Sequence, residues 1–427
     1  MLKPLVIENG HIIDPGQGID EIGILLIAEG KISCLGKENP SLSRTDYDLI
    51  NADGLIVCPG FIDLHCHLRQ PGFEEKESIA TGTRAAAKGG FTTICCMPNT
   101  NPPTDTKTII DYVKSITENE GVVRVLSIGC ISKYRQGKEL TNLNELASAG
   151  VVGFSDDGDP ITSSRLMLEA MQQSRSTGLP IIDHCEDKNL AQNSLGNDTA
   201  SALAEEIIVA RDLSLARSTG ARLHICHVSV AGSVDLIRTA KDRGINVTAE
   251  VTPHHLTLTD KAVAEHGTNA KVNPPLRTKE DIRSLIQGLK DNVIDIVATD
   301  HAPHTETDKK HDFAKAAPGI SVFETALGSL MSLVHGEQLT LNTIIAKLTI
   351  EPARILGGKY GQLGTLAVDA PADLAILDPD IEWTVDPSTF LSKGKNTPLS
   401  GATLKGKVMA TLFQGNLVYR DDMVHLE

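Results

Sequence analysis

The feature that most constrains the fold is an alternation of short apolar runs and longer helical segments between residues 55 and 301. The runs are rich in β-branched and apolar residues, as buried strands are, and the intervening segments have the apolar spacing of helices. Several of those segments end in Gly, the usual residue just beyond a helix C-terminus. The eight predicted strands are 61–67, 91–97, 123–131, 151–157, 180–185, 221–229, 245–252 and 295–301.

Eight such strand–helix units predict an α/β fold in which a parallel (β/α)8 TIM barrel spans residues 55–358. A doubly wound open sheet is the alternative, but its usual Gly-rich first turn is missing here. Residues 1–54 and 359–427 contain short hairpin-like strands, so we expect them to pair into one small β domain. The polar stretch 304–319 predicts a mobile loop at the barrel mouth.

Composition narrows the class of partner. The net charge of −15 argues against a nucleic-acid or anionic-membrane partner, and the 3% of aromatic residues leaves little for base stacking. An acidic protein that binds an anionic substrate needs local positive charge at its binding site. Arginines and metal ligands therefore indicate where such a site would lie. The sequence shows neither a signal peptide nor an apolar run long enough for a membrane span, and its cysteines lie mostly in apolar runs. We therefore expect free thiols and a cytoplasmic location.

Metal-capable residues end five of the eight predicted strands. In a parallel barrel the active site lies at the C-terminal ends of the strands, so these side chains should meet. Four imidazoles with carboxylates suit Zn²⁺ or a similar ion, and six ligands would serve two ions bridged by a carboxylate. Each residue also has a structural alternative, such as a helix cap or a hydrogen-bonded core histidine. The candidates are His65, His67, Asp156 or Asp157, His184, His227 and Asp300.

Strand alternation predicts which side chains face the site. Residues two apart on a strand share a face, so His65 and His67 should point together and Cys66 should point away. By the same argument, Cys185 and Cys226 should point outward under the helices. We therefore expect the cysteines to be packing residues and not metal ligands.

Asp300 is the predicted proton-transfer residue. A carboxylate that faces a metal-bound hydroxide can take its proton and pass it to a leaving nitrogen, which is the chemistry of amide-like C–N hydrolysis or its reverse. Arg69, Asn99 and His304 follow the ends of predicted strands and could hold a substrate carboxylate. Asn273 is a further candidate, while Asn99 could instead serve the turn before its Asn-Pro-Pro sequence.

The motifs DLHCHLRQPG, MPNT, GFSDDG, HCED, CHVS, AEVTPHHL, NPPLR and ATDHAPH occur in this order. Together they resemble the type I dihydroorotases of bacteria, which are cyclic-amide members of the amidohydrolase superfamily. The resemblance runs from about residue 3 to residue 420. It implies a (β/α)8 barrel, a small β-sandwich built from both termini, and one or two zinc ions per subunit. The implied reaction is the reversible cyclisation of N-carbamoyl-L-aspartate to L-dihydroorotate in pyrimidine synthesis.

The resemblance also implies a role for each candidate residue. One metal would be held by His65, His67 and Asp300, a second by His184 and His227, and Asp157 would bridge them. Asp300 would also be the proton shuttle. The implied substrate contacts are His67, Arg69, Asn99, Asn273, His304, Pro318 and Gly319.

Two alternative functions fit the same fold. A hydantoinase, dihydropyrimidinase or allantoinase is the main one, but many of these enzymes bridge their metals with a carboxylated lysine on the fourth strand, and residues 151–157 contain no lysine. A non-catalytic scaffold partner of aspartate transcarbamoylase is the other, but all six ligands are present. The resemblance implies a small-molecule substrate and a homodimer. It leaves open whether an active enzyme would associate with aspartate transcarbamoylase.

Overall fold

The computed structural model describes residues 3–37, 43–191 and 199–427, which form an α/β architecture. The strands, in chain order, are β1 (Leu5–Asp14), β2 (Ile19–Ala28), β3 (Lys31–Gly36), β4 (Asp48–Asn51), β5 (Ile56–Pro59), β6 (Phe61–Cys66), β7 (Phe91–Cys96), β8 (Arg124–Ser127), β9 (Ile181–Asp183), β10 (Leu223–Ile225), β11 (Val247–Val251), β12 (Ile296–Val297), β13 (Leu374–Thr384), β14 (Thr403–Phe413) and β15 (Asn416–Arg420).

The helices lie mainly between the strands of the central region. In chain order they are α1 (Ile79–Lys88), α2 (Lys107–Glu120), α3 (Leu143–Ala149), α4 (Ser164–Thr177), α5 (Lys188–Ala191), α6 (Thr199–Thr219), α7 (Ala231–Asp242), α8 (Pro253–Thr257), α9 (Lys261–His266), α10 (Lys279–Lys290), α11 (Glu306–Lys309), α12 (Ala326–His335), α13 (Leu341–Leu348) and α14 (Ile350–Leu356). Serine or threonine caps begin several of them; in α1, Ser78 and Thr81 form a reciprocal capping box.

Strands from both ends of the chain form one mixed sheet of eight strands. Its order is β15-β14-β13-β5-β1-β2-β3, with β4 pairing with β1. Strand β13 pairs antiparallel with β5, which joins the two termini. Because β5 spans 56–59, this sheet extends just past the predicted boundary at residue 54. The domain boundaries and the sandwich arrangement remain predictions.

In the described part of the central region, the strands pair only in parallel. The ladders follow the orders β6-β7-β8 and β12-β11-β10-β9. Isolated parallel bridges join Gly129 to Phe154, Phe154 to Ile181 and Cys66 to His301. These ladders and bridges form a continuous circuit that returns to β6, and the C-terminal ends of its strands therefore meet on one rim.

The prediction that residues 151–157 form a regular strand is wrong. The segment pairs with its neighbours through isolated bridges at Phe154 and a backbone hydrogen bond from Val152 to Ser127 at 3.0 Å, without a continuous ladder. The carboxylate of Asp156 accepts hydrogen bonds from the backbone N–H groups of Ile131 and Ser132, at 2.9 and 3.1 Å. A side chain thus takes the place of ladder hydrogen bonds, and the chain turns out of the strand toward the rim.

Two apolar clusters fix the positions of the strand ends. One lies between the central strands and the helices and includes Phe61, Phe91 and Ile79. The other contains residues from most parts of the circuit, including Ile62 and Ile182, and lies inside it. Fully burying each large apolar side chain stabilises the fold by about 1.5–3 kcal/mol, so the two clusters make the rim a rigid platform.

The cysteines are all free, and seven of the eight are buried; Cys34 is exposed. Among the described helices, none is long and apolar enough to cross a membrane. Within residues 304–319, the buried ammonium of Lys309 donates to the carbonyl oxygens of Ala317 and Gly319 at 2.8 and 2.9 Å, and it lies 3.4 Å from the carbonyl oxygen of Lys271. The mobility of this segment remains a prediction.

Candidate active site

Six buried metal-capable side chains meet at the rim. Each lies within, or one to three residues after, the C-terminal end of a strand or of the segment that pairs through Phe154. In each of two groups the ligand atoms lie within 4.8 Å of one another; the groups are His65, His67 and Asp300, and Asp157, His184 and His227.

His65 is oriented by the carboxylate of Glu250 on β11. Its Nδ1 lies 2.6 Å from Glu250 Oε1, while Glu250 Oε2 lies 3.0 Å from His224 Nε2. Burial alone would raise the pKa of Glu250, but His65 and His224 bring it down to about 2. A carboxylate behind an imidazole is the usual way in which a metal-binding histidine is held, and it leaves His65 Nε2 facing the centre of the site.

His67 is held from two sides. Its Nδ1 lies 2.9 Å from Asn99 Oδ1 and therefore donates to it, and its Nε2 lies 3.0 Å from Asp300 Oδ1. Asn99 thus contacts a candidate metal ligand.

Asp157 lies between the two groups. Its Oδ1 is 3.4 Å from His184 Nδ1, 3.6 Å from His65 Nε2 and 3.8 Å from His227 Nε2. The other nitrogen of His184 lies 3.2 Å from Asn273 Nδ2, so Asn273 also contacts a candidate ligand. Because Asp156 bonds the backbone of the neighbouring segment, Asp157 is the aspartate of this pair that faces the histidines.

The donor atoms fit a metal ion. Among the described residues, His65 Nε2 and Asp157 Oδ1 are buried without a hydrogen-bond partner, although they lie only 3.6 Å apart. Buried polar atoms are rarely left unpaired, and each costs about 1–3 kcal/mol of unfolding free energy. A cation bound between imidazole nitrogens and carboxylate oxygens would satisfy both atoms with the donor set that Zn²⁺ prefers.

The charges of the cluster agree with this fit. Burial alone would lower the pKa of His65, but Glu250, Asp157 and Asp300 together raise it to about 10. Burial alone would raise the pKa values of Asp157 and Asp300, but the surrounding histidines hold both well below their usual range. The carboxylates are thus ionised and need positive charge beside them, which a divalent cation supplies in place of protons.

The orientation predicted for Cys226 is wrong. Cys226 belongs to the apolar cluster inside the circuit, and its Sγ lies within 4.8 Å of ligand atoms of His65 and Asp157. The alternation fails because His227 has a left-handed φ of 30°, which breaks the two-residue period of an extended strand. Cys66, by contrast, lies in the outer cluster, as expected.

A third group of possible ligands, formed by Asp183, Cys185 and Asp212, lies behind the rim. The guanidinium of Arg211 donates to Asp212 Oδ1 at 2.8 Å and lies 3.7 Å from Asp183 Oδ2. An arginine already supplies positive charge to these carboxylates, so we interpret the group as structural.

An arginine and a histidine border the same rim. His304 Nε2 lies 2.9 Å from the carbonyl oxygen of Pro318, so it carries the proton and donates. Arg69 Nη2 lies 3.3 Å from that nitrogen, and Arg69 Nε donates to the carbonyl oxygen of Pro303 at 3.3 Å. Burial, followed by the charge of Arg69, lowers the pKa of His304 to about 3, so His304 is neutral at pH 7. The charged guanidinium of Arg69 suits an anionic oxygen, while the single N–H of the neutral His304 is engaged by Pro318.

Pro318 and Gly319 are placed beside this pair. The N–H of Gly319 donates to the carbonyl oxygen of Lys271 at 2.8 Å, and the Gly319 carbonyl accepts from Asn396 and Lys309. Its φ of 138° favours glycine, and an added Cβ would lie 2.7 Å from Ala302 Cβ. Both backbone groups of Gly319 are therefore engaged within the protein.

Two residues at the site were missed from the sequence. Glu250 could have been noticed as a charged residue within an otherwise apolar strand. Arg135 donates to the backbone carbonyl of Asp157 and lies 2.9 Å from Asp159 Oδ2, so it fixes the loop that carries Asp157. It follows the third strand without any motif that marks it.

Comparison with known proteins identifies the family. Residues 54–233 match the family model described as Dihydro-orotase-like. The chain is 48% identical to the dihydroorotase of Thermoanaerobacter sp. (strain X514), with 98% of each chain covered. It is 46% identical to the dihydroorotase of Aquifex aeolicus (strain VF5), with 99% of this chain and all of the other covered.

A solved structure is also similar over the whole chain. L-Hydantoinase (dihydropyrimidinase) from Arthrobacter aurescens has a TM-score of 0.89 at 28% identity, and the likeness covers 100% of this chain and 98% of that one. The chain belongs to the dihydroorotase family and is a cyclic amidohydrolase.

Proposed function

We propose that this protein catalyses the reversible, zinc-dependent interconversion of L-dihydroorotate and N-carbamoyl-L-aspartate. The observation that carries the proposal is the convergence of six buried ligands beside an arginine–histidine pair on one rim. We also infer that the parallel circuit is a (β/α)8 barrel, with the sheet built from both termini as the small β domain beside it.

The six ligands divide into two sets in this proposal. His65, His67 and Asp300 would hold one ion, His184 and His227 would hold the other, and Asp157 would be shared. When bound, such ions polarise a carbonyl oxygen and lower the pKa of water. The four imidazoles are neutral N donors in that state, with His65 held by Glu250 and His67 by Asn99.

Asp300 would move the proton. In the hydrolytic direction, a C–O bond forms between water and the ring carbonyl, and the C–N bond of the ring breaks. The carboxylate of Asp300 takes a proton from the attacking water and delivers it to the leaving nitrogen, so the ring opens without net consumption of protons at the enzyme. The left-handed φ of 46° at Asp300 is the kind of backbone strain that is stored at functional sites.

Arg69 and His304 would bind the substrate carboxylate that remains ionised throughout. Arg69 contributes charge and N–H donors, and the neutral His304, whose single N–H donates to the carbonyl oxygen of Pro318, lies against the guanidinium and would border the carboxylate. Asn99 and Asn273 lie against His67 and His184 and would border the ring. Pro318 and Gly319 would border the same side of the site, with the backbone of Gly319 held by Lys271, Asn396 and Lys309.

The main competing function is hydrolysis of an uncarboxylated ring, as the structural likeness to a hydantoinase suggests. The Arg69–His304 pair argues against it, because an uncarboxylated ring would leave the half-buried guanidinium of Arg69 without an anion in the bound complex, which would be costly. The competing proposal that this chain is a non-catalytic scaffold lacks support, since all six ligands are present. A homodimer remains a prediction from the resemblance and a cytoplasmic location a prediction from the cysteines, while an association with aspartate transcarbamoylase remains open.

A substrate panel tests the proposal. Purified protein with added Zn²⁺ would be assayed on dihydroorotate, dihydrouracil, hydantoin and allantoin. We expect kcat/KM for dihydroorotate to exceed the others by at least about a hundredfold, the worth of one to two charge-assisted hydrogen bonds. Preference for an uncarboxylated ring would contradict both the proposed substrate and the proposed role of Arg69.

A further inference from the structure

A segment of the C-terminal part of the chain crosses the rim of the candidate active site. This segment, residues 392–396, lies between β13 and β14 and is called the strap here. Its residues Ser392 and Asn396 are buried, at 1% and 4% exposure. The strap contacts the two stretches of chain that carry the proposed carboxylate-binding groups, residues 301–304 and 318–321.

Asn396 uses its whole amide group on these two stretches. Its Oδ1 accepts from the backbone N–H of His304 at 2.9 Å and from Ser321 Oγ at 3.1 Å. Its Nδ2 donates to the carbonyl oxygens of Ala302 and Gly319, at 3.1 and 3.0 Å. One side chain therefore ties the segment before His304 to the segment around Gly319.

Asn396 also forms a backbone contact with the same region. Its carbonyl oxygen accepts from the N–H of Ser321 at 2.8 Å. A buried amide whose donors and acceptor are all used specifies a single arrangement of the groups around it. Asn396 thereby fixes the distance between the backbone at His304 and the backbone at Gly319.

Gly394 brings the strap against Pro303. A Cβ at this position would lie 2.4 Å from Pro303 Cβ and 2.6 Å from Ser321 Oγ, closer than real Cβ contacts allow. Only glycine permits this approach. The carbonyl oxygen of Pro303 accepts from Arg69 Nε at 3.3 Å, so displacement of Pro303 would move the guanidinium as well.

Ser392 connects the strap to the residue after Asp300. Its Oγ donates to Glu77 Oε2 at 2.5 Å, and the same carboxylate oxygen lies 3.4 Å from His301 Nε2. His301 Nδ1 accepts from the N–H of Val322 at 3.0 Å. The strap therefore reaches residues 301–304 at both ends.

We propose that the strap positions the carboxylate-binding pair Arg69 and His304, and that Asn396 is a specificity-determining positioning residue for carboxylated substrates. This inference rests on the proposed function. Asn396 would not touch the substrate; it would act by holding His304 and the segment around Gly319 at the spacing that a carboxylate needs.

Asn396→Ala in the full chain tests this inference, with Gly394→Ala as an independent second variant. The control is Asn416→Ala, an exposed asparagine of β15 in the same C-terminal part. Each protein would be assayed for its KM and kcat on dihydroorotate, its Ki for dihydrouracil as a competitor, its zinc content and its thermal midpoint. Dihydrouracil lacks the carboxylate and so reports on the rest of the pocket.

We expect Asn396→Ala to raise KM for dihydroorotate at least about tenfold, the loss of one well-oriented charge-assisted contact, with zinc content and the Ki for dihydrouracil within about twofold of wild type. Gly394→Ala should shift KM in the same direction, and Asn416→Ala should not. Each of the two strap variants tests the inference by itself. If one of them fails to fold, the KM of the other decides.

The inference is overturned if both folded variants keep the wild-type KM, or if they lose dihydroorotate turnover, dihydrouracil binding and zinc together, as a purely structural anchor would. A wild-type protein that does not turn over dihydroorotate would instead overturn the proposed function, and this inference with it. The two failures are therefore distinguishable by the wild-type assay.

Discussion

Glu250 Oε1 lies 2.6 Å from His65 Nδ1, and both groups are fully buried. The contact joins β11 to β6, two strands that are far apart in the chain. It fixes which nitrogen of His65 faces the other candidate ligands. The same carboxylate oxygen accepts from the backbone N–H of His227 at 3.2 Å. One anion thus holds a candidate ligand of each proposed metal.

Glu250→Gln should weaken metal binding. The amide keeps the size of the side chain but removes the negative charge that orients and polarises His65. Loss of such a partner lowers metal affinity by about 10–100-fold. Zinc titration against a competing chelator would measure this, with Glu139→Gln, an exposed residue, as the control. Unchanged zinc affinity would show that His65 does not depend on Glu250.

Asp300→Asn should abolish proton transfer without unfolding the chain. The amide is isosteric with the carboxylate but cannot accept a proton, so kcat for dihydroorotate should fall by about 10²–10⁴-fold. Asp422→Asn, an exposed carboxylate near the C-terminus, is the matched control. Zinc content should be measured alongside, because Asp300 is also a proposed ligand. A variant with near-normal kcat would remove Asp300 from the mechanism.

Arg69→Lys should raise KM for dihydroorotate. Lysine keeps the positive charge but cannot reproduce both the contact with Pro303 and the donor beside His304. The loss of one charge-assisted hydrogen bond of about 1.5–3 kcal/mol corresponds to about 10–150-fold in kcat/KM. Steady-state kinetics on dihydroorotate measure it. An equal loss for an uncarboxylated ring would show that Arg69 is a structural residue and not a carboxylate ligand.

His304 should make the fold less stable as pH falls. The unfolded chain takes up a proton at this imidazole below about pH 6.5, whereas burial delays protonation in the folded chain to about pH 3. The unfolded state therefore binds more protons within this window, and the unfolding free energy declines as pH falls through it. Denaturant unfolding at pH 7 and pH 5 should show a shallower decline for His304→Gln than for wild type. Equal declines in unfolding free energy for the variant and wild type would mean that the fold does not hold His304 neutral.

The sequence predicted the candidate ligands well where each of them lies at the end of a single strand. His65, His67, His184 and Asp300 each follow a short apolar run, and the parallel arrangement of those runs is enough to bring their side chains to one rim. Local pattern and one topological rule were therefore sufficient to bring these four candidate ligands together.

Features that depend on long-range pairing were not accessible from the sequence. Glu250 acts on His65 because the circuit places only β12 between β11 and β6, and no spacing along the chain encodes that proximity. Asn396 reaches His304 from a segment that carries no motif. The inward position of Cys226 follows from a left-handed φ at His227, which alternation cannot foresee.

The most direct test of the central claim is the activity of the full chain on dihydroorotate after removal of metal and after its return. The protein would be treated with a chelator, dialysed, analysed for metal content and assayed with and without added Zn²⁺. The six-ligand site predicts that turnover falls at least about a hundredfold without metal and recovers with Zn²⁺, while a His184→Ala variant recovers poorly. Full turnover of dihydroorotate by protein that contains almost no divalent metal would contradict the account.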